Sequence, residues 1–208
     1  MDQNVSTELT PPGGWAHANP VRLPPPPRGQ RGWLFRQVSR LSRFAGRDDV
    51  PDVFSVFQIN SRLFWPWLWF ASRLMPGGRL KARTRELVIL RTAWACRSRY
   101  EWGQHVELAL KAGATDAEIV AVTEGPGAFE EDAVRAALMV CDDICQTHTV
   151  SDESWALARA HYSDPLMIEL VILTGHYVML AGLLNTSGIA LDADMDAELA
   201  VFTTRMRS

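Results

Sequence analysis

Apolar residues recur along most of this chain at intervals of three and four positions. From Trp33 onward, no stretch shows the sustained alternation, bounded by hairpin turns, that a half-buried strand requires. The spacing therefore predicts an all-α domain. The predicted helices span about 51–74, 80–96, 100–112, 115–124, 130–147, 151–162 and 164–185, followed by a short final helix near 195–199.

Proline, glycine and capping residues mark the ends of these helices. Pro51 suits the first turn of a helix, and Pro66 is expected to kink or divide the same helix. Gly113 is expected to end a helix in the left-handed conformation. Thr115 and Glu118 have the spacing of a capping box, which predicts that a new helix begins there.

The chain is predicted to have two parts, an N-terminal arm at 1–30 and a single helical domain at 31–208. The arm is rich in proline, with an unbroken run at 24–27, and it has too little apolar periodicity to bury itself. Trp15 and Trp33 would be costly to leave in water. We therefore interpret the arm as an extended segment that could lie on a neighbouring subunit.

Composition and charge describe an ordinary soluble domain. The chain has 208 residues, 47% hydrophobic content and a formal charge of −3, with acidic and basic residues interspersed. This balance does not indicate a nucleic-acid partner. No secretory signal is recognised, and the longest apolar run, Leu63–Ala71, is interrupted by Pro66 and is too short to cross a membrane. A cytoplasmic protein without a membrane segment is expected.

The cysteines argue against disulfide chemistry. Cys96, Cys141 and Cys145 are odd in number and contain no CxxC pair. Cys141, Cys145 and His148 fall on one helix face with a spacing that superficially resembles metal ligation. One helix rarely supplies three ligands in tetrahedral geometry, so core thiols and no metal are expected.

Glu86 is a candidate for buried chemistry. It precedes the run 87–90, which makes its helix apolar over most of its circumference and predicts a position deep in the core. A carboxylate at that boundary loses hydration and needs a partner. The alternative is an ordinary first-turn acid paired with Arg83 or Arg85.

Glu101 and His105 form a second candidate on the following helix. They stand four residues apart, so both lie on one face, where a carboxylate can orient an imidazole or share a proton with it. Leu108 and Ala112 continue that face, which indicates that the pair points inward. A surface ion pair is the alternative.

The run at 85–119, RELVILRTAWACRSRYEWGQHVELALKAGATDAEI, resembles the carboxymuconolactone decarboxylase and alkylhydroperoxidase D-like family. The likeness rests on five features in order: an acid-headed apolar helix, a short link, a helix carrying YEW..H, a glycine stop and a capped helix. It extends over about 21–192. The resemblance implies an all-helical bundle of the alkylhydroperoxidase D-like type. It also implies a homo-oligomer, a dimer or larger, in which neighbouring subunits complete the core.

The resemblance also implies roles for individual residues. Glu86 matches the relay glutamate of the peroxidase branch and His105 its histidine, but Ser98 and Glu101 stand where that branch has its two cysteines. Cys96 lies two residues before the first of these positions, so the dithiol cycle cannot be carried over. Glu86, Glu101 and His105 remain as the catalytic set of an enzyme that uses acids and a base without metal or organic cofactor.

The expected activity is decarboxylation or proton transfer on a small lactone or carboxylated compound. Ser98, Tyr100 and Arg91 are expected to contact this substrate, with Arg91, Arg97 or Arg99 near enough in sequence to bind a carboxylate. Two alternatives stay open: a thiol peroxidase that uses Cys96 alone, and a non-catalytic protein that binds ligands or assembles.

The letters ELVIL occur twice, at 86–90 and at 169–173. Convergence on helix-forming residues explains the repeat slightly better than an internal duplication, because no second YEW..H helix follows the later copy. His176 and Tyr177, within the helix of that copy, could line the same pocket from across the bundle. A packed core position is the alternative for His176.

Overall fold

The computed structural model describes residues 9–16, 18–31, 35 and 50–206. Within these ranges the secondary structure is helical and contains no β-strand, which confirms the all-α prediction. Short 3-10 turns occur at Arg28–Gln30, Gln58–Asn60 and Pro126–Ala128. The α-helices are α1 (Asp52–Phe57), α2 (Ser61–Leu74), α3 (Ala82–Ala95), α4 (Arg99–Lys111), α5 (Asp116–Glu124), α6 (Asp132–Thr147), α7 (Asp152–Arg159), α8 (Asp164–Ser187) and α9 (Ala193–Arg205).

Most helix ends fall where the capping signals place them. The capping box at Thr115 is present, with Thr115 Oγ1 accepting from the Glu118 amide at 3.2 Å and Glu118 Oε2 accepting from the Thr115 amide at 2.9 Å. Gly113 has the expected positive φ of 91°. The predicted helix at 51–74 is divided at the 3-10 turn rather than at Pro66, which lies inside α2.

Helix α3 is the centre of the bundle. It packs against α4, α5, α6 and α8. Four consecutive residues, Leu87 to Leu90, are completely buried, which requires neighbours on every side of the helix. The sequence prediction of a deep position for this helix is therefore confirmed, and any fully buried polar group on α3 must find its partner inside the protein.

Helix α8 is the longest and most apolar element in the described ranges. By length and composition it could cross a membrane, with a mean hydropathy of 1.8 in its most apolar window. This property was not predicted from the sequence. Buried residues nevertheless run along α8 from Met167 to Ser187, where it packs on α3 and α6. The core helix of a bundle passes the same test, so this is weak evidence for a membrane segment.

The described part of the N-terminal arm lies on its own domain. The Trp15 ring packs against Trp94 and Trp102, with ring centroids 5.7 and 6.0 Å apart. The amides of Ala18 and Arg22 donate to the carbonyls at the end of α8, Asn185 and Ser187, at 2.8 Å. The arm is thus held by its own chain at these positions, rather than only by a neighbour. Trp33 and residues 1–8 lie outside the described ranges.

Candidate active site

Helices α1, α2, α4 and α8 enclose a cavity of about 270 Å³. Its wall is largely apolar. The polar side chains on the wall are Ser72, Glu101, Gln104, His105, His176 and Tyr177. No arginine or lysine of the described ranges lines it. A small cavity of this kind suits an uncharged, mostly apolar compound of modest size.

Glu86 and His105 form a buried hydrogen-bonded pair beside this cavity. His105 Nδ1 lies 2.8 Å from Glu86 Oε2, and both side chains are almost fully buried. Because Glu86 is an acceptor, Nδ1 carries the hydrogen in this arrangement and Nε2 is the nitrogen available for proton exchange. The contact joins α3 to α4, the two helices that the sequence motif spans.

Arg85 completes the pair on its other side. Its Nε and Nη2 both donate to Glu86 Oε1 at 3.2 Å, and Arg85 is itself only 8% exposed. Burial alone would raise the pKa of Glu86, but the hydrogen bond and charge of His105, together with the Arg85 guanidinium, hold this pKa below its ordinary value. Glu86 is therefore ionised at neutral pH. The pairing with Arg85 is present, but Glu86 lies beyond the first turn of α3, so the first-turn interpretation was wrong.

Glu101 has the opposite environment. Its carboxyl group lines the cavity, is buried, and has no hydrogen-bond partner among the described residues. Burial, and to a lesser extent the Cys96 thiol, raise its pKa well above the ordinary value. The Ser98 hydroxyl is close enough to oppose this shift slightly, but it is not in hydrogen-bonding geometry. Glu101 is therefore a neutral acid that can donate a proton into the cavity.

His176 and Tyr177 lie on the opposite wall, on α8. The Tyr177 ring packs edge-on against His105, with centroids 5.0 Å apart, and fixes the plane of the imidazole. The His176 ring stacks on Trp67 with an interplanar angle of 6°. Burial lowers the pKa of His176 to about 4, so this ring is uncharged at neutral pH. His176 lines the cavity and is also packed in the core, so its two interpretations from the sequence are compatible.

We expect the burial of His176 to make the fold sensitive to acid. The unfolded chain binds a proton on this residue below its ordinary pKa of 6.5, whereas the folded protein does so only near 4. Stability is therefore lost as the pH falls between these values, by about 3 kcal/mol in total from this group. Urea unfolding from pH 7 to pH 4 should show this loss as a change in the stability of wild type relative to His176→Phe, which keeps the stack on Trp67. His161→Gln, at an exposed histidine, is the control and should behave as wild type.

The structure does not bring Arg91 to this cavity. Arg91 Nε and Nη2 donate to the Asp142 carboxylate at 2.6 and 2.9 Å, and Nη1 donates to the Val122 carbonyl. Arg97 donates to the Gly13 carbonyl, and Arg99 pairs with Asp196. The expectation that Arg91 binds a substrate carboxylate therefore has no support from its position, because its guanidinium is engaged in a separate helix-to-helix contact.

Ser98 and Tyr100 also lie off the cavity wall. The Tyr100 hydroxyl accepts from the Val53 amide at 3.1 Å and donates to Asp192, which holds α1 to the start of α9. Burial raises the pKa of Tyr100 well above its ordinary value. Ser98 is fully buried beneath Glu101 and caps no amide through its side chain. Both residues support the site from behind, and neither is placed to contact a ligand in this cavity.

Two residues of the wall had no signal in the sequence. Trp67 lines the cavity, and its buried indole Nε1 has no hydrogen-bond partner in the described ranges. Gln104 lines it beside His105. An unpaired buried donor is costly, so the Trp67 N–H is a candidate to bind a ligand acceptor. Its place in the run WPWLW and its helical spacing could only indicate a core position.

The helix carrying Cys141, Cys145 and His148 does not gather these side chains around one point. Cys141 is completely buried and contacts Thr92, whereas His148 is exposed and its ring faces the Ile144 carbonyl at the end of α6. Among the residues with described positions, no group of three or more histidine, cysteine or acidic side chains is arranged to hold a metal ion.

Comparison with known proteins identifies the family of the segment that carries the site. Residues 61–143, from α2 into α6, match the Carboxymuconolactone decarboxylase family. A search of curated proteins finds no match. The resemblance is thereby confirmed for the region that contains Glu86, Glu101 and His105.

Solved structures share the fold of the chain. A peroxidase-related protein with an alkylhydroperoxidase AhpD core from Ralstonia eutropha JMP134 has a TM-score of 0.73 at 19% identity, covering 86% of this chain and 96% of its own. A peroxidase-related protein from Silicibacter sp. TM1040 has a TM-score of 0.74 at 12% identity, covering 86% and 95%. The debrominase Bmp8 C82A, solved in complex with 2,3,4-tribromopyrrole, has a TM-score of 0.65 at 15% identity, covering 90% and 99%. At these identities the likeness establishes the helical fold alone.

Proposed function

From the membership of residues 61–143 in the carboxymuconolactone decarboxylase family, we propose that this protein is an acid/base enzyme that needs no cofactor and moves protons on a small, mostly apolar compound. The observation that carries the proposal is the contrast between two buried glutamates. Glu86 is ionised and bonded to His105, whereas Glu101 is neutral and unpaired on the cavity wall. Carboxyl groups held in opposite protonation states are the usual mark of divided acid and base roles.

His105 is the base in this proposal. With Nδ1–H directed to Glu86, the Nε2 lone pair can accept a proton from a carbon or a water in the cavity. The imidazolium that forms is stabilised by the Glu86 carboxylate, which Arg85 holds in place. Tyr177 restrains the imidazole plane during the transfer.

Glu101 is the acid. Its neutral carboxyl group can donate to an oxygen on which negative charge develops, or deliver the proton to a carbon after carbon dioxide is lost. In an apolar cavity the loss of hydration disfavours a substrate carboxylate and favours its decarboxylation. Since no arginine or lysine of the described ranges lines the wall, a lactone or a compound with one carboxylate fits better than a multiply charged acid.

The test is a panel of small lactones, monocarboxylic β-keto and unsaturated acids, and halogenated pyrroles of the kind that the debrominase neighbour binds. NMR in deuterated water follows exchange at carbon and the release of carbon dioxide. We expect at least one compound to react with wild type and with His161→Gln, and not with His105→Gln. If every compound that reacts with wild type reacts equally with His105→Gln, the acid/base proposal is wrong.

A thiol peroxidase is the second candidate, because Cys96 lies close enough to Glu101 to influence its pKa. The nearby Cys145 thiol, and then burial, raise the pKa of the Cys96 thiol far above its ordinary value, so the reactive thiolate is scarce. We expect Cys96→Ser to fold and to keep the proton-transfer activity of wild type. Loss in this variant of a peroxide consumption that turns over many times per chain would favour the peroxidase instead.

We also propose that the protein assembles with copies of itself through the outer face of α8. This face is apolar and exposed, and a Cβ at either of its glycines would meet open space. Its residues are Ile168, Ile172, Gly175, Met179 and Gly182. Such a surface is typical of helix-to-helix interfaces between subunits.

Light scattering should give a particle of at least two chains for wild type and a smaller one for Ile172→Arg. Val201→Arg, at an exposed apolar residue on α9, is the matched control and should leave the assembly intact. A monomeric wild type would contradict the proposal.

A further inference from the structure

Three cysteines occupy facing positions on α3 and α6, outside the set of residues that the acid/base proposal uses. Cys141 and Cys145 are one helical turn apart on α6, and Cys96 is the first residue after α3. Cys141 is completely buried, whereas Cys96 and Cys145 are partly exposed. The two outer thiols can therefore be reached by a small oxidant, and the inner one cannot.

The register of the two helices places Cys96 opposite Cys145. Arg83, in the first turn of α3, bonds Glu131 just before α6, and further along Thr92 Oγ1 lies 3.2 Å from Cys141 Sγ. The helices thus run in the same direction. Cys96 is four residues after Thr92 and Cys145 four residues after Cys141, so the next pair of facing side chains is the two thiols.

The facing residues one turn earlier are small, which lets the two helices approach closely there. The 3.2 Å approach of Thr92 to Cys141 brings the helix backbones near each other one turn earlier. The nearby Cys145 thiol, and then burial, raise the pKa of Cys96, whereas the Cys96 thiol opposes the rise at Cys145. That direction makes Cys145 the first of the two to ionise.

We propose that Cys96 and Cys145 form a reversible disulfide when the protein meets a hydroperoxide. The Cys145 thiolate attacks the terminal oxygen of hydrogen peroxide, the O–O bond breaks, and the leaving hydroxide takes a proton to become water. Cys96 then loses its proton and attacks the sulfur of the Cys145 sulfenic acid, so that the S–S bond forms and a second water leaves. Two thiols and one peroxide thus give one disulfide and two waters.

This pair differs from the CxxC of the peroxidase branch. Its two cysteines come from different helices and are 49 positions apart in the chain. A neighbouring thiol and burial raise the pKa of each cysteine, so both stay mostly protonated. The oxidation is therefore slow and suits a response to oxidative stress rather than rapid turnover. The bond would pin the C-terminal ends of α3 and α6 together behind Glu101.

The experiment treats the folded protein with hydrogen peroxide, blocks the remaining thiols, and maps the peptides without reduction. We expect the count of free thiols to fall from three to one, with a peptide that links Cys96 to Cys145 and that dithiothreitol separates. Cys141→Ala, which removes the buried thiol, should form the same link. Cys96→Ser and Cys145→Ser should each keep two cysteines without an internal disulfide.

Three results would overturn the inference. They are three thiols that survive peroxide, oxidation that stops at a sulfinic acid on one residue, and a disulfide between any other pair, including one between two copies of the chain. Each of these results can be detected with folded wild type alone, so the test does not depend on the stability of the variants.

Discussion

Glu86→Gln is expected to lower the free energy of unfolding at pH 7 by about 3–5 kcal/mol, whereas Glu101→Gln should raise it. The two substitutions are chemically identical and both sites are 2% exposed. At Glu86 the amide removes the negative charge between Arg85 and His105, and a buried guanidinium is left uncompensated. At Glu101 one neutral group replaces another in the folded protein, so no charge is lost there. The glutamine also removes the cost of keeping the acid protonated at pH 7.

Unfolding in urea at pH 7 measures both values. Equal losses for the two variants would mean that both glutamates are ionised, and no loss at Glu86 would mean that its pair with Arg85 and His105 contributes nothing. Glu107→Gln, on the outer part of α4, is the matched control and should lie within about 0.5 kcal/mol of wild type.

The pH dependence of the same measurement separates the glutamates further. The pKa of Glu101 is raised in the folded protein, so the unfolded chain releases this proton first, above its ordinary value of 4.5. Stability contributed by Glu101 is therefore lost as the pH rises from that value, by about 1.4 kcal/mol per pH unit, until the folded group ionises. Protonation of His176 changes the stability in the opposite direction between about pH 4 and 6.5, so the two effects oppose each other in wild type. The Glu101 effect appears alone in His176→Phe, and the His176 effect appears alone in Glu101→Gln.

His105→Gln is expected to lower the rate of the catalysed reaction by about 100-fold to 10,000-fold. The amide can still bond Glu86, so the fold is retained, but it cannot accept a proton at neutral pH. The loss should fall on kcat rather than on KM, because His105 is one of several groups on the wall and mainly apolar surface binds the ligand. A compound that reacts with wild type in the panel is the substrate for this measurement.

Tyr177→Phe is the matched control for His105→Gln. Phenylalanine keeps the edge-on ring contact with His105, and among the described residues the Tyr177 hydroxyl reaches only the Met75 sulfur, at 3.7 Å. We expect its activity to lie within a few-fold of wild type. An equal loss in the two variants would indicate that the cavity has been distorted rather than that a base has been removed.

Local features of the sequence predicted the fold well. The spacing of apolar residues gave the helices, and glycine and capping residues gave most of their ends, because both signals act within one or two turns. The break in the 51–74 helix was misplaced since Pro66 was weighed alone. The break lies before Pro66, at Asn60, whose side chain accepts from the Leu63 amide and caps the start of α2.

The candidate site was predictable only in part. The spacing of Glu101 and His105 on α4 predicted that both side chains point inward. The family resemblance predicted that Glu86 lies beside them. Arg91 was misassigned because nearness in sequence was taken as nearness in space. Five residues after Glu86 on the same helix, its side chain is rotated by about 140° and points toward α6 instead.

Contacts between distant segments were not accessible from one sequence. The wall supplied by Trp67 and the stack of this ring on His176 depend on how α2 crosses α8. The facing of Cys96 and Cys145 depends on the register of α3 and α6. Helical periodicity assigns each of these residues to a buried face, but it does not say which other helix covers that face.

The protonation states of the two buried glutamates are the most direct test of the account. Carbon-13 NMR of protein labelled at the glutamate side-chain carboxyl, with resonances assigned from the Glu86→Gln and Glu101→Gln spectra, reports each group separately at pH 7. We predict that the Glu101 carboxyl is neutral and that the Glu86 carboxyl is ionised in the same sample. An ionised Glu101 at neutral pH, or a neutral Glu86, would contradict the division of acid and base roles between them.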